Sequence, residues 1–190
     1  YNRPGTIRKT IKSIFLNTNE DFEIIISDDK SPKVNEIKNV LSEFKEYKKL
    51  TCYYQETNLG EPDNKNFLVS KAQGEYLIFL GDDDILQPEA LECLSNYINK
   101  DPEVSLFTFG YTIIDEFDNI IYSRYSPIGL NIGIRFPGTL STFYAGSIMP
   151  LWFFHPATFC CKRRVEKKYR YRNDVGIGED FMFLFELVNG

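Results

Sequence analysis

Gly74–Leu91 reads GEYLIFLGDDDILQPEAL, and its order of residue types decides the fold. The apolar run Tyr76-Leu77-Ile78-Phe79-Leu80 stops at Gly81, and Asp82, Asp83 and Asp84 follow at once. Pro88 then opens a segment with apolar residues at Ala90, Leu91, Leu94, Tyr97 and Ile98, which is helical spacing with proline in the first turn. The stretch is therefore read as buried strand, acidic turn, helix. Three adjacent carboxylates repel one another, which favours a bound cation or a raised pKa. Mg²⁺ and similar hard cations take carboxylate oxygens and keep part of their shell for water and phosphate. In open α/β sheets ligands sit at the carboxyl ends of strands, where this cluster falls. Asp equally suits a solvated turn or a helix N-terminus, so the triplet alone does not decide between these readings.

The same strand–turn–helix grammar recurs upstream. Ile7, Ile11, Ile14 and Phe15 give a first helix, with Thr6 as its expected cap and Arg8, Lys9 and Lys12 facing water. Residues 21–26, DFEIII, read as a strand that ends at Ser27-Asp28-Asp29-Lys30-Ser31-Pro32, a second acidic turn. Val34, Ile37, Leu41 and Phe44 predict another helix, Leu50–Tyr54 a strand, and Asp63–Ala72 a helix after the loop Asn58-Leu59-Gly60. Strands alternating with helices predict an α/β fold, a mostly parallel central sheet flanked by helices. Beyond Asn99 the pattern changes. Val104–Phe109 and Tyr111–Ile114 predict strands, and Asp118-Asn119 turns the chain into Ile120–Ser123. Residues 124–150 show no period and are read as a long loop or lid. Trp152–Cys161 predicts a strand, and Phe181, Leu184, Phe185 and Val188 a last helix.

The chain has 190 residues, enough for one domain with a substantial core. At 43% hydrophobic and 26% charged it has the balance of a folded globular protein rather than a disordered one. A formal net charge of −5 argues against a nucleic-acid partner. No apolar run of about 18 residues marks a membrane span, and no signal peptide is visible. Cys52, Cys93, Cys160 and Cys161 show no CxxC spacing, so no zinc site is expected. Cys52 and Cys93 read as small core residues, and a reducing cytoplasm is the simplest location. The turn-like opening YNRPG and the apolar helical close at Gly190 suggest a chain trimmed at both ends, with a first strand before Tyr1.

Five stretches in order resemble the family 2 glycosyltransferases: Tyr1-Asn2-Arg3-Pro4, DFEIIISDDKS at 21–31, Asn58-Leu59-Gly60, GEYLIFLGDDD at 74–84, and Gly178-Glu179-Asp180. Each is weak alone; their order and spacing make the signal. The resemblance implies a GT-A fold in a single domain over residues 1–190, with a nucleotide-binding half (1–100) and an acceptor-side half (101–190). It implies an inverting enzyme that uses a nucleotide-diphospho-sugar, with UDP favoured, and Mn²⁺ or Mg²⁺. Tyr1 and Arg3 would lie near the nucleotide base. Asp29 would accept a hydrogen bond from the base, with Asp28 beside it. Asp82 and Asp83 match the DXD-type ribose and metal site, Asp83 as the direct ligand and Asp84 orienting it. Asp180 matches the catalytic base, with Glu179 adjacent. The expected partners are the donor and a glycan or lipid-linked acceptor, with peripheral association at the inner face of the membrane.

Two departures from the family pattern stand out. Gly81 occupies a position where many relatives carry Asp, and Asn64-Lys65-Asn66 replaces a frequent Ala-Arg-Asn. Lys65 would take over phosphate charge as a point charge rather than a fork. His155 and Trp152 read as structural residues before functional ones. The run Lys162-Arg163-Arg164 reads as a solvated face, with diphosphate or an anionic lipid surface as its functional alternative. Two rivals to the transferase reading are a non-catalytic nucleotide-sugar-binding or interaction domain and a nucleotidyltransferase. The latter needs a Gly-rich, basic phosphate loop that Arg3-Pro4-Gly5 matches poorly.

Overall fold

The structure is a computed structural model, and it describes residues 2–18, 21–108, 111–124, 134–135, 159–164 and 170–175. The first half is built of two acidic-ended strand units. Helix α1 (Pro4–Phe15) starts earlier than expected: Pro4 stands in its first turn, Arg3 is the cap residue, and the Thr6 hydroxyl merely donates back to the Arg3 carbonyl at 3.3 Å. Proline's fixed φ suits a first helical position, so it overrides the cap signal of Thr6. Strand β1 (Ile24–Asp28) pairs in parallel with β2 (Leu50–Tyr54), Ile24 opposite Leu50 and Asp28 opposite Tyr54. A parallel pair needs a crossover, and α2 (Val34–Ser42) supplies it. Ile7 and Ile11 of α1 meet Ile37, Val40, Leu41 and Phe44, with Ile26 and Leu50 against them. That cluster fixes α1 and α2 on one face of the β1–β2 pair.

Helix α3 (Glu61–Lys71) follows, then β3 (Tyr76–Ile78) and α4 (Ala90–Lys100). Glu89, in a left-handed conformation (φ 62°), separates the acidic turn from α4, so the helix begins two residues after Pro88. The later strands are β4 (Val104–Thr108), β5 (Tyr111–Ile114), β6 (Ile120–Arg124), β7 (Ile134–Arg135) and β8 (Phe159–Lys162). The order β3–β8–β4–β7 forms one antiparallel set. The α/β layering is as expected, but among the described residues only β1–β2 is a parallel pair. No described helix lies between β4 and β8, and antiparallel strands pair without a crossover helix. Strand β7 falls inside the stretch read as a long loop; the rest of residues 125–150 lies outside the described residues, as do the helix expected from Phe181 and both His155 and Trp152. Leu94, Val104, Phe107 and Cys160 form the second cluster, beneath α4. Cys93 is exposed rather than a core residue, and none of the four cysteines is in a disulfide.

The hairpin β5–β6 is turned by Asp115. Its carboxylate accepts from Phe117 N and Asn119 N at 2.9 Å and from the Asn119 side chain at 3.0 Å. Those bonds hold its pKa below the usual carboxylate range. Among the described residues no helix is long and apolar enough to cross a membrane.

Candidate functional site

Both acidic turns lie at carboxyl ends of strands, and the residues leading into α1 touch both. The Asn2 backbone N–H donates to Ser31 Oγ at 2.8 Å, in the turn after β1. The next residue, Arg3, sends Nη1 to Asp82 Oδ1 at 3.3 Å and to Asp83 Oδ2, in the turn after β3. The charge repulsion among three adjacent aspartates is thus met by a guanidinium from the chain itself. Arg3 and Asp83 are about half exposed, at 53% and 49%, so this is a solvent-screened contact that an incoming ligand can replace.

The two aspartates after β1 are, by contrast, buried and occupied. Asp28 is 6% exposed, and its Oδ1 accepts from Ser31 N at 2.9 Å. Asp29 is 7% exposed; Oδ1 accepts from Leu59 N at 2.7 Å and Oδ2 from Gly60 N at 2.9 Å. The Asn58-Leu59-Gly60 loop is therefore fastened to the turn by a carboxylate. Gly60 sits at φ +82°, which favours glycine, and opens α3. A carboxylate has about four acceptor sites, so two are left for a ligand.

Asp84 plays a local part. Its Oδ2 accepts from Gly81 N at 2.9 Å and closes the turn. A Cβ on Gly81 would lie 2.7 Å from Asp84 Oδ2 and 3.0 Å from Asp83 Oδ1, so any side chain here would force these carboxylates to shift. The chain beyond it is docked by polar residues of α1 and its end: Ser13 Oγ accepts from Leu86 N, and Asn17 Oδ1, just past the helix, from Leu91 N, both at 2.9 Å. Sequence reasoning missed these positioning residues. The available signal was Thr10, Ser13 and Asn17, polar residues at helical spacing on a side that is buried.

Lys65, expected to meet phosphate, is 11% exposed, ion-paired with Glu61 at 2.8 Å and 5.2 Å from the centre of the Tyr171 ring. Lys162 and Arg163 lie at the opposite end of β3: Lys162 pairs with Tyr76, and the Arg163 side chain donates to the carbonyls of Gly74 and Ala72 at 2.7 and 3.3 Å. Tyr76 stands six residues before Asp82, roughly 20 Å along an extended chain, so Lys162 and Arg163 lie away from the acidic turn. Tyr1, Glu179 and Asp180 lie outside the described residues.

Among the described residues no three His, Cys, Asp or Glu side chains converge on one point. Asp82 and Asp83 still fit a Mg²⁺- or Mn²⁺-type ion, which commonly takes one or two carboxylates and fills its shell with water and phosphate oxygens.

The profile of Glycosyl transferase family 2 matches residues 1–168. A Campylobacter jejuni protein, GalNAc(5)-diNAcBac-PP-undecaprenol beta-1,3-glucosyltransferase, is 34% identical over 122 residues, covering 63% of this chain and 38% of that protein. Staphylococcus aureus TarS 1–349 in complex with UDP superimposes with a TM-score of 0.75 at 16% identity, over 99% of this chain and 52% of TarS. The mannosyltransferase PcManGT from Pyrobaculum calidifontis, in complex with GDP-Man and Mn²⁺, gives a TM-score of 0.65 at 17% identity, over 98% and 49% of the two chains. The chain thus spans about half of these structures and less of the sequence relative. The fold is that of the GT-A glycosyltransferases.

Proposed function

The chain belongs to glycosyltransferase family 2, and from that premise we propose that it transfers a sugar from a UDP-sugar to an acceptor hydroxyl, with inversion at the anomeric carbon. One observation carries the reading: Asn2 and Arg3 join the turns after β1 and β3, so Asp28, Asp29, Asp82 and Asp83 border one site at the strand ends. The UDP in the TarS structure supports uracil as the base.

In this reading Asp29 and the loop it holds form the base side of the site, with Asp82 on the ribose. Asp83 would hold a divalent ion, which would neutralise charge developing on the departing diphosphate. Arg3, released from Asp83, offers its fork to phosphate oxygens. The acceptor oxygen forms the new bond to the anomeric carbon as the bond to the diphosphate breaks and its electron pair leaves with UDP. The acceptor hydroxyl is a poor nucleophile until its proton moves, and we assign that proton to the carboxylate of Asp180, with Glu179 adjacent. The Campylobacter relative's substrate supports a lipid-linked glycan as acceptor, and with it work at the inner membrane face. The test is UDP release from a panel of UDP-sugars, with and without lipid-linked acceptors, by wild type and Asp180→Asn. Acceptor-stimulated release that Asp180→Asn abolishes supports the reading; pyrophosphate release from a nucleoside triphosphate instead would make the protein a nucleotidyltransferase.

A further inference from the structure

Arg3 stands on the pair of carboxylates that fits a divalent ion. Both of its contacts come from a single nitrogen: Nη1 donates to Asp82 Oδ1 at 3.3 Å and to Asp83 Oδ2. One cationic nitrogen thus bridges two residues and holds the oxygens that a shared ion would need. Two cations cannot take the same oxygens, so the guanidinium must leave them before an ion binds there. The backbone of residues 2 and 3 is fastened independently of that side chain. Asn2 N donates to Ser31 Oγ at 2.8 Å, and the Arg3 carbonyl accepts from Ile7 N at 3.4 Å and from the Thr6 hydroxyl at 3.3 Å. The side chains of Arg3 and Asp83 are about half exposed, so the guanidinium can swing on its own rotatable bonds while its Cα keeps its place. A displaced Arg3 therefore stays within one side-chain length of the acidic turn.

We infer that Arg3 couples the ion to the donor: it is a tethered counter-ion that competes with the divalent ion for Asp82 and Asp83, and it turns to the donor's diphosphate once displaced. The inference rests on the proposed function, with Asp83 as the ion's ligand. The coupling follows from charge. A divalent ion binding alone must displace Arg3 and then faces the unpaired guanidinium, cation against cation. A nucleoside diphosphate relieves both, because its oxygens accept from the guanidinium and complete the shell of the ion. Ion and diphosphate thus bind better together than either does alone, and each raises the other's affinity by the same factor. Alanine at position 3 removes both the competitor and the link. Lysine keeps the competing charge but offers the diphosphate a point charge in place of a fork.

The test measures binding alone, on the full-length protein as wild type, Arg3→Ala, Arg3→Lys, Asp83→Ala and the double variant Arg3→Ala/Asp83→Ala. Mn²⁺ by itself is titrated and followed by the paramagnetic resonance signal of the free ion, and UDP is titrated calorimetrically with and without Mn²⁺. An exposed ion pair and the repulsion of one nearby charge are modest, so Mn²⁺ alone is expected to bind Arg3→Ala about three- to tenfold more tightly than wild type, a gain that shrinks at high salt. In the Asp83→Ala background the same substitution should give no gain. Arg3→Lys should keep the affinity for Mn²⁺ alone within about twofold of wild type, since the competing charge remains. The factor by which Mn²⁺ strengthens UDP binding should fall about tenfold or more in Arg3→Ala. Mn²⁺ affinity that Arg3→Ala leaves unchanged or lowers, a gain that persists without Asp83, or an unchanged coupling factor would each overturn the inference, and the donor site would stand if wild type still binds UDP. A wild type that binds no UDP, with or without Mn²⁺, overturns the donor-site reading itself, and this role with it.

Discussion

Replacing Asp29 by Asn is expected to destabilise the fold by about 2–4 kcal/mol, independently of any nucleotide. Asp29 is 7% exposed, and each of its oxygens receives one backbone N–H, from Leu59 at 2.7 Å and from Gly60 at 2.9 Å. Hydrogen bonds to a charged group contribute about 1.5–3 kcal/mol each. Asn keeps one acceptor oxygen, now neutral, which forfeits about 1 kcal/mol of that bond. Its NH₂ group then faces the other backbone N–H, donor against donor, and an unsatisfied buried N–H costs about 1–3 kcal/mol. Gly60 N has a second acceptor in Asn58 Oδ1 at 3.1 Å, which places the expected loss toward the lower end. Urea unfolding of wild type and Asp29→Asn measures it, with the slope m checking that both unfold in the same way. A loss below about 0.5 kcal/mol, at unchanged m, would refute the reasoning. It would mean that these bonds do not secure the loop and that Asp29 is kept for the ligand alone.

Four further outcomes are expected. Arg3→Ala should leave unfolding free energy within about 0.5 kcal/mol, because its ion pairs are exposed, yet weaken UDP binding in a calorimetric titration. Gly81→Ala should cost about 1–3 kcal/mol from the close approach to Asp84, and much of that cost should vanish in urea unfolding of Gly81→Ala/Asp84→Ala, where the blocking oxygen is gone. The Asp115 pKa is depressed below 3.8, first by its hydrogen bond from Asn119; its contribution is present above pH 3.8 and lost as pH falls through the lower folded value, so Phe117 and Asn119 should lose hydrogen-exchange protection there, and in Asp115→Asn at any pH. Burial, then the Glu75 charge, raises the Tyr76 hydroxyl to about 12; stability should hold below pH 10 and decline as pH rises toward 12, with Tyr76→Phe flattening that decline in unfolding titrations.

The sequence shows its local grammar more clearly than its long-range contacts. Runs such as Ile24-Ile25-Ile26 and Tyr76–Leu80 bounded by acidic turns gave away both site-forming strands, because β-branched and aromatic residues suit a half-buried pleat. The helix periods of α1, α2 and α4 were legible for the same reason, since their apolar faces form the two core clusters. What escaped reading is pairing across the chain. That β8 inserts between β3 and β4 depends on Cys160 and Cys161, small enough to be wholly buried, and nothing in their own neighbourhood announces the partner. The site divides in the same way. The acidic pair and the acidic triplet declared themselves, but their division of labour did not. Asp29 secures a loop and Asp84 closes a turn, while Asp82 and Asp83 face Arg3, and these roles follow from which backbone N–H groups lie nearby. Lys65, a cation one turn after Glu61, is its ion-pair partner in the structure, a contact that the (i, i+4) spacing already announces.

Calorimetric titration of UDP and GDP, with and without Mn²⁺, into wild type and Asp83→Ala tests the donor site most directly. The account predicts metal-dependent UDP binding that disappears in Asp83→Ala while the variant stays folded. Equal UDP binding by Asp83→Ala, or no binding of either nucleotide by the folded wild type, would contradict a donor site built between the turns after β1 and β3.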